Sequence, residues 1–246
     1  MNLKYFFNRA TVREYSSQDI DNNVLNEMIE AACHAPTTGG MQLYSVVVTR
    51  DKAMKEKLAP CHFNQPMVTT APVVLTFCAD FNRFVNWCEA SDAEPGYDNF
   101  QSLMSAILDV TIFAQQFNTI AEMNGLGCCY LGTTTYNAQE IAEVLQLPNR
   151  VVPIVTLTVG YPTKKEQFHT DRLPLEGIIH QEQYHELSAK EVKKIYRHKE
   201  SLDVNKAFVK ENNKQTLAQV FTDVRYTKET NELFSKKFLE FIKVYL

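Results

Sequence analysis

The sequence predicts a fold that mixes helices with β-strands, in an α/β or α+β arrangement, on three observations. Two β-branched runs, Tyr44-Ser-Val-Val-Val-Thr49 and Pro72-Val-Val-Leu-Thr-Phe-Cys-Ala-Asp80, read as buried strands. Between about Asp98 and Asn124, Leu103, Ile107, Val110, Ala114, Phe117 and Ala121 advance by alternate steps of four and three, the period of a helix. Strand and helix patterns then alternate along the chain.

Taken in order, Asp21 is a good N-cap for a helix whose apolar stripe is Leu25, Met28, Ile29, Ala32 and Cys33, and the stripe stops at Ala35-Pro36. The loop Ala35-Pro-Thr-Thr-Gly-Gly40 leads into the two strands. In the long helix, Met104, Phe113 and Ile120 add apolar character beside the main stripe, so more than one face is apolar. Such a helix runs through a large core or sits in a subunit interface; a central helix near a dimer interface is the expectation. Beyond the turn Asn124-Gly-Leu-Gly127, the stretch from Cys128 to Thr135 reads as a strand entering a loop. Asn137 to Leu145 reads as a short helix, and Val151 to Pro162 as a third buried strand. After Pro162 the pattern loosens until Ser188-Ala-Lys-Glu191 supplies a capping box for a lysine-rich helix. The tail is a helix with Phe234, Phe238, Phe241 and Ile242 on one side. With no repeats and no linker, residues 1–246 read as one domain in which 163–246 form an extended, helical C-terminal region.

Composition removes several function classes. The 25 Lys plus Arg against 29 Asp plus Glu give a net charge of −4, so no basic field exists to gather nucleic acid. The longest nearly apolar run, Ala71 to Ala79, is about half of the ~18–20 residues a membrane span needs, and the N-terminus has no signal-peptide core. The protein therefore reads as cytoplasmic, with neither nucleic acid nor membrane as a partner. The six cysteines have no C-x-x-C spacing, and Cys78 is most simply a small buried hydrophobe. The histidines lack metal-ligand spacing, so no metal is expected. G-x-S-x-G, Walker and H-E-x-x-H sequences are all absent, which leaves hydrolysis and nucleotide-triphosphate chemistry without a starting point.

Four segments remain as candidates. Arg9-Ala-Thr-Val-Arg13 sets two guanidinium groups and a hydroxyl within five residues, a combination most simply read as a solvated surface and also suited to phosphate. Thr37, Thr38, Gly39 and Gly40 follow a helix rather than precede one, which excludes a P-loop; with Gln42 they suit a planar ligand, or a plain linker. Tyr130-Leu-Gly-Thr-Thr134 runs a strand into a glycine and two hydroxyls, where backbone N–H groups meet a ring or the strand simply ends. Arg172-Leu-Pro174, with Lys164, Lys165 and His169 upstream, is a further phosphate candidate or a solvated basic loop.

In this order the segments resemble the nitroreductase family of FMN-dependent oxidoreductases, whose members share an R-R-S-x-R-like stretch and an A-P-S-S-x-x-x-Q-like loop, here RATVR and APTTGGMQ. GLGCCYLG, VVPIVTLTVGYP and the RLP loop extend the likeness over nearly the whole chain. CADFNR and the long C-terminal extension look most similar to the NADPH-dependent nitroreductase and flavin reductase branch. The resemblance implies an α+β fold, a mixed central sheet wrapped by helices, and a homodimer with FMN at the subunit interface. By position, Arg9, Ala10, Thr11 and Arg13 would hold FMN, Arg9 on the phosphate and Arg13 near the N1–C2=O edge. Thr37, Thr38, Gly40 and Gln42 would form the second binding loop, and Gln65 would touch the flavin. Tyr130, Leu131, Gly132 and Thr133 would pack along the isoalloxazine with backbone N–H groups toward N5, and Arg172 would bind phosphate. Ala10 replaces the second basic residue of the usual pair, Thr170 a phosphate-binding lysine, and Lys236 an arginine involved in NADPH binding.

The implied activity is a ping-pong cycle in which NADPH or NADH reduces FMN and a nitroaromatic, quinone or flavin acceptor reoxidises it. FMN carries the chemistry, so no catalytic side chain is expected. A dedicated flavin reductase and a non-catalytic flavin- or partner-binding protein are the alternatives.

Overall fold

The computed structural model describes residues 3–96, 99–163 and 171–245. Two compact units emerge, one of residues 1–168 with 234–246 and one of residues 169–233.

The first unit opens on α1 (Lys4–Asn8), followed by an extended segment and α2 (Asn22–Ala32). The Asp21 carboxylate accepts from the backbone N–H groups of Asn23 and Val24 at 2.8 and 3.2 Å, which satisfies two of the donors a helix start leaves open. The order continues β1 (Tyr44–Thr49), α3 (Lys52–Leu58), α4 (Pro66–Thr70), β2 (Val73–Asp80), α5 (Asn82–Glu89), α6 (Phe100–Met123), β3 (Gly127–Leu131), α7 (Ala138–Leu145) and β4 (Val151–Gly160). The C-terminal helix α11 (Lys228–Tyr245) joins this unit from Phe234 onward.

The strands form one sheet in the order β1-β2-β4-β3, and every pair is antiparallel. The α+β class therefore holds, while the described strands contain no parallel pair and the sheet is not mixed among them. Short helices join β1 to β2 and β3 to β4, and each returns the chain in the reverse direction to its neighbour. All eight residues of β2 are buried. β1 is not the buried strand its sequence suggests. It pairs only with β2 among the described residues, and Val48 on it is 40% exposed.

α6 crosses the sheet as the core's long helix. Its N-cap Asn99 accepts from Ser102 N at 3.1 Å. Leu103, Ala106, Val110, Phe113, Ala114, Phe117 and Ala121 are buried, with the Phe113 ring stacked on Tyr44 at 4.4 Å and edge-on to Phe77 at 5.2 Å. Of the residues beside the main stripe, Phe113 is buried and Ile120 packs half-buried on the core, whereas Met104 is exposed in a row with Phe100, Leu108 and Ile112 that recurs every four residues. On α11, Phe241 and Ile242 enter the same core, Phe234 stacks on Tyr136 at 4.4 Å, and Lys237 pairs with Glu140 and Asn137.

The second unit contains α8 (Ala189–Ser201), α9 (Asp203–Glu211), α10 (Leu217–Val220), a π-helical turn at Phe221–Arg225 and the first residues of α11. The Ser188–Glu191 capping box forms as expected; Lys190, Lys193 and Lys194 of α8 are exposed, Lys199 is half-buried over the Phe221 ring, and Ile195 is buried. Arg225 lies 4.2 Å from the Phe208 ring, a cation–π contact within this unit.

One packing contact fixes the segment after α1. A Cβ on Gly127 would fall 2.2 Å from Val12 Cγ2, and Val12 N donates to Cys128 O at 3.1 Å, so residues 9–13 lie directly on β3. Gly127→Ala should cost about 1–3 kcal/mol by overpacking, read as a lower urea midpoint. Adding Val12→Ala should recover part of that loss, and an unchanged midpoint in the single variant would contradict this packing.

Candidate functional site

Residues 9–13 are held at both ends. Arg9 grips Glu122 on α6 through Nη2 at 2.7 Å and Nε at 3.2 Å, and the phenol of Tyr5 donates to the same carboxylate at 2.7 Å. Burial, then the neighbouring carboxylate, pushes the Tyr5 phenol up. Downstream, the Tyr15 hydroxyl sits 2.7 Å from both Val12 O and Thr158 Oγ1. Ala10 and Thr11 are half-buried between these anchors, and Arg13 is exposed beside the Cys129 thiol.

β3 carries this edge to a second cluster. Tyr130 is partly exposed, with its hydroxyl 3.3 Å from Gln115 Oε1, Leu131 is buried, and Gly132 presents an exposed backbone with nothing within 4 Å of where a Cβ would be. Thr133 Oγ1 lies 2.8 Å from Nδ1 of His62, a fully buried ring. Cys61 O accepts from Asn137 Nδ2 at 2.7 Å, and His62 O accepts from Gln65 N at 3.2 Å. The structure thus sets Arg13 beside Cys129 on β3 and ties Thr133, just past the end of β3, to the 61–65 turn through His62.

The loop at Thr37–Gln42 is anchored elsewhere on α6. Asp109, 2% exposed, accepts from Thr37 Oγ1 at 2.5 Å, Thr38 Oγ1 at 2.8 Å and Thr38 N at 2.9 Å. Gly39 and Gly40 take φ of +56° and +71°, the left-handed region that glycine enters freely, and Gln42 follows at +51°. Arg83 Nη2 donates to Gln42 O at 2.5 Å. Asp109 and Glu122 stand thirteen residues apart on one helix, or about 20 Å at 1.5 Å per residue. Within one chain the loop at 37–42 and the segment at 9–13 are therefore anchored at separate places.

Arg172 lies in the second unit, exposed, with Nη1 3.3 Å from Asp171 O. Lys164, Lys165, His169 and Thr170 fall outside the described residues. Lys236 is an exposed side chain 3.8 Å from Glu240. Burial pushes the Cys78 and Cys128 thiols up, which matches their role as packed hydrophobes. Among the described residues no group of three His, Cys, Asp or Glu could hold a metal, and no helix is long and apolar enough to cross a membrane.

The family profile described as "Nitroreductase family" matches residues 7–161, the stretch that contains both clusters and the Asp109 loop. The chain belongs to the nitroreductase family. Similar nitroreductase-family proteins include a Cr(VI) reductase from Pseudomonas sp. strain G-1, 32% identical over 72% of each chain. An FMN reductase [NAD(P)H] from Bacillus subtilis is 32% identical over 74% of each chain. A crystal structure of a Bacteroides fragilis protein superposes with a TM-score of 0.96 at 54% identity, over 98% of each chain.

Three residues that sequence reading missed organise the site: Glu122, Asp109 and His62. The first two are carboxylates within an apolar helix, a pattern that could have been noticed, whereas His62 carries no local signal. Burial lowers the His62 pKa to about 4. Because this lies below the unfolded value of about 6.5, the unfolded chain takes up the proton first, and stability present above that pH is lost as pH falls toward 4. Wild type should lose about 3 kcal/mol more than His62→Phe between pH 7 and pH 4, at 1.36 kcal/mol per pKa unit. Urea unfolding of both proteins across that range checks this, and parallel pH profiles would contradict it.

Proposed function

We propose that the protein is an FMN-dependent NAD(P)H oxidoreductase of the nitroreductase type that works as a homodimer in the cytoplasm. The observation that supports the reading is that three candidate segments border β3: residues 9–13 through Val12 and Cys128, the 61–65 turn through His62 and Thr133, and the exposed Gly132 that follows the strand. Together they offer hydrogen-bond donors and a backbone left open by a glycine, which fits the acceptor-rich edge of a flavin. FMN bound there would supply a two-electron carrier that alternates between a nicotinamide donor, NADPH or NADH, and an oxidised acceptor.

The chain's own residues bind and orient. The Arg13 guanidinium places positive charge at the pyrimidine edge, which favours the reduced state. Backbone N–H groups at Gly132 and Thr133 and the side chain of Gln65 would supply hydrogen-bond donors to the bound flavin. Arg9, set in place by Glu122, is assigned to the phosphate, with Ala10 and Thr11 beside it in the same segment. Tyr130 and Leu131 line the ring's flank. Thr37, Thr38, Gly40 and Gln42 are assigned to the second binding loop, and the 20 Å between their anchor and that of residues 9–13 supports contribution from a second copy. The exposed row Phe100, Met104, Leu108 and Ile112 on α6 is the surface such a pairing would cover, with the same patch meeting itself across a two-fold axis. The six free cysteines suit a reducing compartment. Acceptors are planar oxidants: nitroaromatics, quinones or free flavins. The Bacillus subtilis FMN reductase relative favours flavin as the second reading, which kcat/KM for FMN against nitrofurans and quinones would distinguish.

The purified protein should show the two visible absorption bands of bound flavin and bleach on anaerobic addition of NADPH or NADH. A protein that takes up no FMN would defeat the proposal. Arg13→Ala should weaken FMN binding about tenfold, the loss of one hydrogen bond to a charged group, and slow flavin reduction in stopped flow. Unchanged affinity and rate would remove Arg13 from the site.

A further inference from the structure

The buried ring of His62 has an asymmetry that bears on the polarity of Thr133. Nδ1 is 2.8 Å from Thr133 Oγ1, whereas Nε2 is buried with no hydrogen-bond partner among the described residues. Burial keeps the ring neutral, so it carries one N–H. If that proton sat on Nε2, a buried donor would be orphaned. Placed on Nδ1, it is satisfied by Thr133 Oγ1, and only an acceptor lone pair is left unused, the less costly omission. The ring is also held by its backbone: His62 O accepts from Gln65 N, the flanking carbonyl of Cys61 accepts from Asn137, and Phe63 and Asn64 both take φ of +53° in the turn that follows.

With Nδ1–H donating to it, the Thr133 hydroxyl must direct its own hydrogen away from His62. Thr133 is half-buried and adjoins Gly132, whose backbone is exposed with open space where a Cβ would be. We propose that His62 is a positioning residue that fixes the Thr133 hydroxyl as a hydrogen-bond donor toward the bound flavin. This inference rests on the FMN reading above and adds to it a residue that touches no cofactor but sets the direction of one that does.

Two measurements test it on the full-length protein. Nitrogen-15 histidine NMR, without and with FMN, should report a neutral His62 protonated at Nδ1 in both forms; protonation at Nε2 would overturn the proposal, and this reading needs no variant. The second is a double-mutant cycle on FMN dissociation constant and flavin midpoint potential. Thr133→Val and His62→Phe should each weaken FMN about fivefold, the ratio of one neutral hydrogen bond, and shift the potential in the same direction. The double variant should be no worse than Thr133→Val alone. His62→Asn, whose amide N–H occupies the place of Nδ1, should return affinity to within about twofold of wild type. Additive losses, or a silent His62→Phe, would overturn the inference while leaving the flavin assignment standing. A wild-type protein that takes up no FMN overturns both.

Discussion

Two carboxylates on α6 set the geometry on which the candidate site depends. Asp109 is buried, and an ionised group there is tolerable only if its oxygens are satisfied. The two hydroxyls and one backbone N–H of Thr37 and Thr38 do so, and in doing so they pin the loop that follows. Glu122 does the same for the N-terminal segment by accepting from Arg9, Tyr5 and Asn118. Because both anchors belong to one helix, the distance between the segments is a property of helix rise rather than of the loops themselves. Flexible connections are thereby given fixed positions, which a binding site built on loops requires.

β3 is the other rigid support. Gly127 lets residues 9–13 approach its backbone closely, and the strand then delivers Gly132 and Thr133 to the same edge. Behind them the 61–65 turn is tied to Asn137 and Thr133. α6 is buried by the sheet along one face and leaves Phe100, Met104, Leu108 and Ile112 exposed along another.

Much of the fold was legible because its signals are local. Asp21 and the Ser188–Glu191 pair announce helix starts through hydrogen bonds made within three residues, and the period of α6 is written in its own side chains. Strand positions were equally plain, but their roles were not. The residues of β1 suit a buried strand, yet its place at the sheet edge is decided by pairing with distant segments, and so is the antiparallel arrangement of the sheet. The site divides the same way. The segments that carry Arg13, Thr37 and Thr133 could be selected by motif and Gln65 by family resemblance alone, whereas the anchors depend on contacts spanning 71 residues for Thr38 to Asp109 and for His62 to Thr133, and 113 for Arg9 to Glu122. No window of sequence contains both partners. Arg9 illustrates the consequence, since its grip on Glu122 is invisible in the motif that singles it out.

Each flavin site is proposed above to be completed by two copies of the chain. That division is tested most directly with a heterodimer, purified through two different tags, that joins an Arg13→Ala chain to a chain carrying Thr37→Ala and Thr38→Ala. Divided sites predict that both defects fall in one site and leave the other intact, so the heterodimer should bind one FMN with wild-type affinity although each parental homodimer binds weakly. A heterodimer with no wild-type-affinity site would contradict the account, because it would mean that both halves come from the same chain.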